Sequence, residues 1–405
     1  MPGIVALTFA YVLSQFYRSF LAVLSPALIV DLGASKAQLS MASGAWFFTF
    51  AMSQFVVGVS LDRFGPRRTA ATLLAVFGGS GAFLLAIATQ PWMAIVAMAL
   101  IGVGCSPVLM GAVYIFAHRY PPARLAVLTS VMVGIGSAGN VVGASPLANA
   151  AELFGWRGVI AALGVITLAI AACAFALVRD PVRSAAQSGA TGFAGYGELL
   201  RVRALWPLFP LAAVNTAAAV GIRGLWAGPY LADVYGATSI AIGQVTLFMA
   251  LAMVAGNFIY GPLDTIFGTR KWVMVGGNVL SVIAVLWLTL HPGQGLVADT
   301  VVLMVIGCCG ANYGLMMAHA RPFLPPHLTG RGMTLMNFFC IGGIGIMQLA
   351  TGAVVTAATE PGDPHAAYTA LFLFYAAVLG TALSIYLFSR DARPNGTPSP
   401  EPIAP

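Results

Sequence analysis

The sequence predicts an all-α polytopic membrane protein, with twelve transmembrane helices arranged as two pseudo-symmetric six-helix bundles. Three observations predict this class. The 405 residues are 59% hydrophobic and only 8% charged, whereas a soluble protein carries about 25% charged residues. Apolar blocks of about 20 to 27 residues alternate with short polar breaks, and such a block crosses a hydrocarbon core as a helix that satisfies its own backbone hydrogen bonds. Finally, the second half of the chain repeats short motifs of the first.

The apolar blocks define the predicted spans. The first block, from Gly3 to about Val30, is too long for a signal-peptide core, so we expect it to remain as a transmembrane helix. The predicted spans are 4–30, 38–61, 69–89, 92–117, 125–149, 158–178, 206–231, 240–262, 272–291, 298–320, 332–357 and 366–388. The break at 179–205 is predicted to be a cytoplasmic linker between halves 1–178 and 206–389, and the Pro-rich segment 390–405 a disordered tail.

Lysine and arginine are distributed unevenly over the predicted loops. With both termini in the cytoplasm, fifteen of the 19 basic residues lie on that side, and only Lys36 and Arg157 lie outside. Because cytoplasmic loops carry an excess of Lys and Arg, both termini are predicted to be cytoplasmic. The same bias explains the net charge of +7 without a nucleic-acid partner. We expect a monomer in the lipid bilayer of a bacterial inner (plasma) membrane.

Three motifs recur at an offset of about 202 residues. The pairs are Asp62–Arg68 with Asp264–Lys271, His118–Arg124 with His319–Pro326, and Pro26–Ala34 with Pro229–Ala237. A shared offset indicates an internal repeat, and therefore two homologous halves of six helices.

The loop Gly58–Arg68, between spans two and three, carries the most specific motif. It has the form G-x-x-x-D-R-x-G-x-R-R. With the six-plus-six arrangement and the central linker, it resembles the major facilitator superfamily over the whole chain except the tail. Two patterns of drug/proton antiporters are weak or missing: helix four lacks an arginine in Ala99–Cys105, and Gly139–Pro146 only approximates the signature of helix five. Both departures argue against drug/proton antiport.

In the resembled family this loop locks the cytoplasmic side while the protein faces outward. The resemblance therefore implies a gating role for Gly58, Asp62, Arg63, Gly65, Arg67 and Arg68, and in the second copy for Asp264 and Arg270. A carboxylate can bond a neighbouring helix N-terminus and pair with arginine, while glycines allow tight turns and close helix approach. Thr265 replaces the arginine after Asp264, so we expect a weaker second lock. The alternative is a loop that serves only as a positive-inside anchor.

Two arginines lie within spans: Arg18 in span one and Arg223 in span seven. A charge at the bilayer centre costs about 2.5–3.5 kcal/mol on insertion scales, so such residues face a cavity or a partner. Their positions are nearly equivalent in the repeat, and both are expected to face one central cavity. A guanidinium binds carboxylate or phosphate with two hydrogen bonds, and the arrangement is similar to major-facilitator carriers of organic phosphates and organic anions. The alternatives are a structural pair or snorkelling to the interface.

Polar and aromatic neighbours complete the predicted substrate site. They are Gln15, Tyr17, Trp226, Asn312 and Tyr313. The alternative for each is hydrogen bonding between helices. None of the twelve Asp and Glu residues falls clearly in mid-membrane, and the five histidines lie near loops. This favours antiport of anions, or symport in which the substrate itself carries the proton.

Other functions remain as alternatives. Met249 and Met253 place two thioethers on one face of span eight, and soft sulfur suits Cu(I), but span nine lacks the HxxxM that a related copper importer pairs with this motif. Import of a riboflavin-like vitamin, drug efflux and a non-transporting receptor or assembly factor are the others. No P-loop, cofactor site or enzyme motif is found. The sequence thus favours a secondary active transporter, symporter or antiporter and not an enzyme, that moves a small organic anion.

Overall fold

A computed structural model describes residues 2–120, 122–181, 194–291, 293–325, 328–360 and 363–393. Within these ranges the regular secondary structure is helical, apart from one isolated bridge between Glu360 and Asp363. Ten described helices are long and apolar enough to cross a membrane, and two bent helix pairs bring the number to twelve. The predicted all-α class with twelve spans is confirmed.

We number the spans 1 to 12 in chain order. Their bounds are Pro2–Tyr17 with Leu21–Leu32, Lys36–Leu61, Arg63–Ala86, Pro91–Arg119, Val131–Val142 with Ser145–Phe154, Trp156–Leu177, Arg203–Tyr235, Ser239–Phe267, Arg270–Leu290, Leu296–Phe323, Arg331–Ala357 and His365–Tyr386. Each coincides with a predicted apolar block. An even number of spans places both termini at one end of the bundle, which we call the termini end; the opposite end is the far end.

Two spans are strongly bent and two contain π-helical turns. Span 1 bends by 53° and span 5 by 43°. The π-helical turns cover Leu74–Gly79 in span 3 and Ile222–Trp226 in span 7. Such irregular turns inside long helices often mark functional sites. Arg18 lies in the break of span 1, between Tyr17 and Leu21, and Arg223 lies in the π-helical turn of span 7.

The halves pack closely at the far end, where glycines face backbone of the opposite half. A Cβ built on Gly228 of span 7 would lie 1.9 Å from the carbonyl oxygen of Ala22 in span 1. One built on Gly243 of span 8 would lie 2.9 Å from the Cβ of Ala148 in span 5. Small residues allow such close approach of membrane helices. These contacts close the bundle at the far end.

The linker and the tail contain more structure than the sequence indicated. Residues 182–193 lie outside the described part, but a helix follows at Ala194–Arg201. Its Tyr196 ring packs 5.6 Å from Phe55. In the tail predicted to be disordered, Asp391 accepts hydrogen bonds from Thr269 and from the backbone of Lys271. Residues 394–405 lie outside the described part, and the division into 1–178, 179–205 and 206–389 stays a prediction.

Candidate functional site

A central cavity of about 210 Å³ lies between the two halves. Spans 1, 2, 4 and 5 of the first half line it, together with spans 7, 8, 10 and 11 of the second. The lining residues Val133, Asn257 and Tyr313 on the termini side are exposed, so the cavity opens towards the termini end. The volume is below the about 300–1,000 Å³ typical of pockets for drug-sized ligands, which indicates a small ligand.

Arg18 lines this cavity, as the sequence predicts. Its guanidinium carbon lies 4.9 Å from the ring centre of Trp46 and 5.5 Å from that of Phe50. These aromatic contacts orient the cation, and its buried Nε atom has no hydrogen-bond partner. The backbone beside it is close to span 7, since a Cβ on Gly224 would lie 3.0 Å from the Arg18 carbonyl oxygen.

Arg223 lines the same cavity from span 7 and is only 2% exposed. Its Nη2 donates a 2.7 Å hydrogen bond to the side-chain oxygen of Asn140 in span 5 of the other half. Its Nε atom is also buried without a partner. The prediction that both arginines face one central cavity agrees with this geometry. Among the described lining residues, no Asp or Glu neutralises them.

Gln15 and Tyr313, both predicted as substrate contacts, also line the cavity. The amide of Gln15 donates to the Tyr11 hydroxyl at 3.1 Å, and the Tyr313 hydroxyl donates to Asn337 at 2.7 Å. Both residues therefore lie on the path between the termini end and the arginines.

Three other predicted contacts bond within the protein and lie outside the cavity lining of this structure, and their contact with substrate stays a prediction. Tyr17 is fully buried and its hydroxyl meets Thr167 at 3.0 Å. Trp226 is fully buried and its Nε1 donates to both Gln348 and Thr351. Asn312 is fully buried and accepts a 2.9 Å hydrogen bond from Asn215. Proximity in sequence to an arginine did not decide which side of the helix each residue occupies.

The two methionines of span 8 lie in different environments. Met249 is completely buried in the core, whereas Met253 lines the cavity. A paired thioether site open to the cavity is therefore not formed. The described residues also contain no group of three or more His, Cys, Asp or Glu side chains that could hold a metal ion.

The far end is fastened by contacts between the halves. Lys36 at the start of span 2 forms an ion pair with Asp233 of span 7, and Asp233 also accepts a 2.5 Å hydrogen bond from Tyr368. The hydroxyl of Ser40 donates to the carbonyl of Gln348 in span 11. With the glycine contacts, these interactions separate the cavity from the far side.

At the termini end, the gate loop Gly58–Arg68 is packed against span 6 of its own half. Gly65 has φ 81° and ψ 163°, a conformation that favours glycine. The backbone N–H of Arg67 donates to Asp180 at 2.8 Å, and its Nε donates to the carbonyl of Phe175 at 2.5 Å. Asp180 thus binds the N-terminal turn of span 3, a favourable position for a carboxylate.

Two further predicted gate residues lie at the protein surface. Arg63 and Arg68 are exposed, and Arg63 lies 5.4 Å from the ring of Phe64. A Cβ on Gly58 would meet no atom within 4 Å, so the expected close helix approach does not occur there. The side chain of Asp62 lies outside the described residues.

The second copy has an equivalent arrangement at span 9. Asp264 pairs with Arg270 at 3.1 Å, and the backbone N–H of Lys271 donates to Asp391 at 3.0 Å. Burial alone would raise the pKa of Asp391, but hydrogen bonds from Thr269 and the Lys271 backbone hold it below its usual range. The relative strength of the two copies as locks stays a prediction.

Sequence reasoning missed several of these residues. Asp180 and Asp391 follow the last span of each half in Arg-Asp pairs, and this recurrence could have indicated their common role. Trp46 and Phe50 carry no local signal that distinguishes them from core aromatics. Their contact with Arg18 depends on how span 2 packs against span 1.

Twelve spans in two repeated halves, around one cavity that is closed at one end, define the class of polytopic membrane carriers. The profile of the Major Facilitator Superfamily matches residues 7–227 and 211–404. The chain therefore belongs to the Major Facilitator Superfamily of membrane transporters. The resemblance inferred from the gate loop is confirmed.

Similar proteins are found by sequence and by structure. A probable hexose phosphate transport protein of Chlamydia muridarum (strain MoPn / Nigg) is 39% identical over 83 residues, which are 20% of this chain and 18% of that protein. Its counterpart in Chlamydia trachomatis serovar D (strain ATCC VR-885 / DSM 19411 / UW-3/Cx) is 37% identical over 81 residues, with the same shares of 20% and 18%. The chain thus aligns with less than a fifth of the length of these relatives.

Solved structures share the fold. A bacterial homologue of the human lysosomal transporter Spinster has a TM-score of 0.74 at 18% identity, with 95% of this chain and 96% of that chain covered. A nucleoside transporter has a TM-score of 0.76 at 14% identity, covering 95% and 99%. A D-xylose–proton symporter has a TM-score of 0.75 at 12% identity, covering 96% and 97%. Identities this low show the fold alone.

Proposed function

We propose that this transporter is a secondary carrier of a small organic anion, which it binds between Arg18 and Arg223. The single observation that carries the proposal is that these two arginines line one cavity in which no described lining residue is acidic. A carboxylate or phosphate would neutralise the two guanidiniums and accept paired, charge-assisted hydrogen bonds from them. The names of the partial relatives, which concern hexose phosphate, agree with an anionic cargo.

Transport proceeds by alternating access in this proposal. The halves 1–178 and 206–389 rock about the cavity, as repeats do in related carriers. With cytoplasmic termini in a bacterial inner membrane, the described state faces inward, since its far end is closed. The gate loop then forms its cross-half contacts only in the outward-facing state. The protein works as a monomer and without a cofactor.

Uptake by reconstituted proteoliposomes tests the proposal. The panel contains radiolabelled glucose 6-phosphate and benzoate as anions, and xylose and uridine as uncharged solutes. We expect uptake of an anion that the double variant Arg18→Gln, Arg223→Gln abolishes. Uptake confined to xylose or uridine, or anion uptake at the wild-type rate in the double variant, would show that the proposal is wrong.

A further inference from the structure

The lining of the central cavity changes in character along the bundle axis. Along span 7, Thr216 precedes Arg223 by seven residues, and along span 1, Tyr11 precedes Arg18 by seven. At 1.5 Å per residue, each pair is separated by about 10 Å along its helix. The two cations thus lie deep in the cavity, near the closed far end, and a hydroxyl group from each half lies nearer the open termini end.

Between these two levels the cavity wall is largely apolar. Met110 of span 4 and Met253 of span 8 line it, as do Val220 of span 7 and Ile341 of span 11. Val220 lies one turn from Arg223 on the side of the termini. The unbranched thioether side chains of methionine adapt to apolar groups of different shapes. A ligand whose charged group reaches the arginines therefore has its body against hydrocarbon and thioether groups.

Several uncharged polar groups of the lining already donate hydrogen bonds within the protein. Donors bonded to protein acceptors are the amides of Gln15, Gln54 and Asn257, and the hydroxyls of Ser106, Ser137 and Tyr313. Among the described lining residues, the buried side-chain atoms that lack a partner are the Nε atoms of Arg18 and Arg223. These bonded donors leave fewer partners along the wall for the hydroxyl groups of a ligand.

We propose that the substrate is an amphipathic anion, with one carboxylate or similar group on a compact apolar body, rather than a polyhydroxylated anion such as a sugar phosphate. This inference rests on the proposed function, since it assigns the anionic group to the two arginines. Hydroxyl groups on the body would lose their water against the apolar wall, and a buried polar group without a partner is unfavourable. An apolar body would instead bury apolar surface there.

Probes matched in ring size and charge test this inference on the purified full-length protein in lipid nanodiscs. Cyclohexanecarboxylate and glucuronate each carry one carboxylate on a six-membered ring, and they differ mainly in hydroxyl groups. Glucose 6-phosphate is the third anion, and cyclohexanecarboxamide is the uncharged control. Dissociation constants are taken from the ligand-dependent shift of the melting temperature.

We expect cyclohexanecarboxylate to bind about 100-fold more tightly than glucuronate, the size of discrimination by which apolar pockets reject added hydroxyl groups. Tighter binding of glucuronate or glucose 6-phosphate, or no shift with cyclohexanecarboxylate, would overturn the inference. If glucuronate or glucose 6-phosphate bound more tightly, the proposed function as an anion carrier would still hold. If the carboxamide bound as tightly as the carboxylate, the proposed function itself would be wrong, because the charge would be irrelevant.

Met253 offers a matched pair of variants. Met253→Gln places an amide in the apolar part of the wall and is expected to reduce the preference for cyclohexanecarboxylate over glucuronate at least tenfold. Met253→Leu keeps the wall apolar and similar in volume, and cyclohexanecarboxylate is expected to stay the preferred ligand. An unchanged preference in the glutamine variant contradicts contact between the substrate body and this wall.

Discussion

Replacing Arg223 by glutamine removes a buried positive charge from the cavity. The residue is 2% exposed, and its Nε atom has no hydrogen-bond partner. If a substrate anion binds here, the substitution leaves that anion without one of its two cationic partners. Truncating one member of a buried charge pair costs about 2–5 kcal/mol, which corresponds to roughly 30-fold to 4,000-fold weaker binding at ~1.4 kcal/mol per tenfold.

In the absence of ligand, the same substitution is expected to leave the thermal stability of the protein unchanged or to raise it. Among the described lining residues, no acidic side chain neutralises Arg18 or Arg223. A buried charge without a counter-charge is unfavourable, so Arg223→Gln is expected to melt at the wild-type temperature or above it when no anion is present. Arg223→Lys keeps the charge but loses the planar fork, and it is expected to bind the anion with intermediate affinity.

Thermal unfolding with and without a transported anion, beside uptake in proteoliposomes, measures both effects. Arg203→Gln is the matched control, because Arg203 is exposed at the termini end of the same span and is expected to behave as wild type. The reasoning is refuted if Arg223→Gln keeps the full ligand-dependent stabilisation. It is also refuted if the empty variant is markedly less stable, since Arg223 would then be a structural residue.

Three further substitutions test other parts of the molecule. Gly228→Ala places a Cβ 1.9 Å from a carbonyl oxygen of span 1. The resulting overpacking of about 1–3 kcal/mol should open the far end, which would be measured as faster amide hydrogen exchange there. The control Gly158→Ala, whose Cβ meets no atom within 4 Å, should leave the exchange rates unchanged. Lys36→Gln removes a partly exposed ion pair with Asp233 and should destabilise the closed far end by about 0.2–1 kcal/mol in low salt and by less in high salt. An effect of the substitution on amide hydrogen exchange that did not depend on salt would contradict this. Asp391→Asn should destabilise the protein by roughly 1 kcal/mol at neutral pH. Folding lowers the pKa of Asp391 from 3.8, so its contribution to the free energy of unfolding is fully present above pH 3.8 and is lost as the pH falls through the pKa of the folded protein. A stability difference between Asp391→Asn and wild type that persisted below that pKa in denaturation experiments would contradict the assignment.

The spans were predictable because lipid imposes a simple length and polarity rule on helices. Arg18 and Arg223 were predictable as cavity residues for a related reason, since charge is tolerated within a span only where water or a partner meets it. The repeat supplied the expectation that they share one cavity.

The exact lining of the cavity was less predictable. Tyr17 directly precedes Arg18, and Trp226 follows Arg223 by three residues. Both nevertheless form their hydrogen bonds within the protein. Local breaks decide this outcome, because the bend after Tyr17 and the π-helical turn at Ile222–Trp226 change the angular spacing of neighbouring side chains. Residue spacing in an ideal helix does not reveal such breaks.

The anchored start of the tail has a practical consequence for expression of this chain. Asp391 joins the end of the last span to the loop before span 9, and the Arg390 carbonyl oxygen accepts a 2.9 Å hydrogen bond from Nε2 of His319. A C-terminal truncation at Tyr386, where the last helix ends, would therefore remove a fastening of the second half. A purification tag or a fluorescent reporter is better joined after Arg393, which leaves that fastening in place.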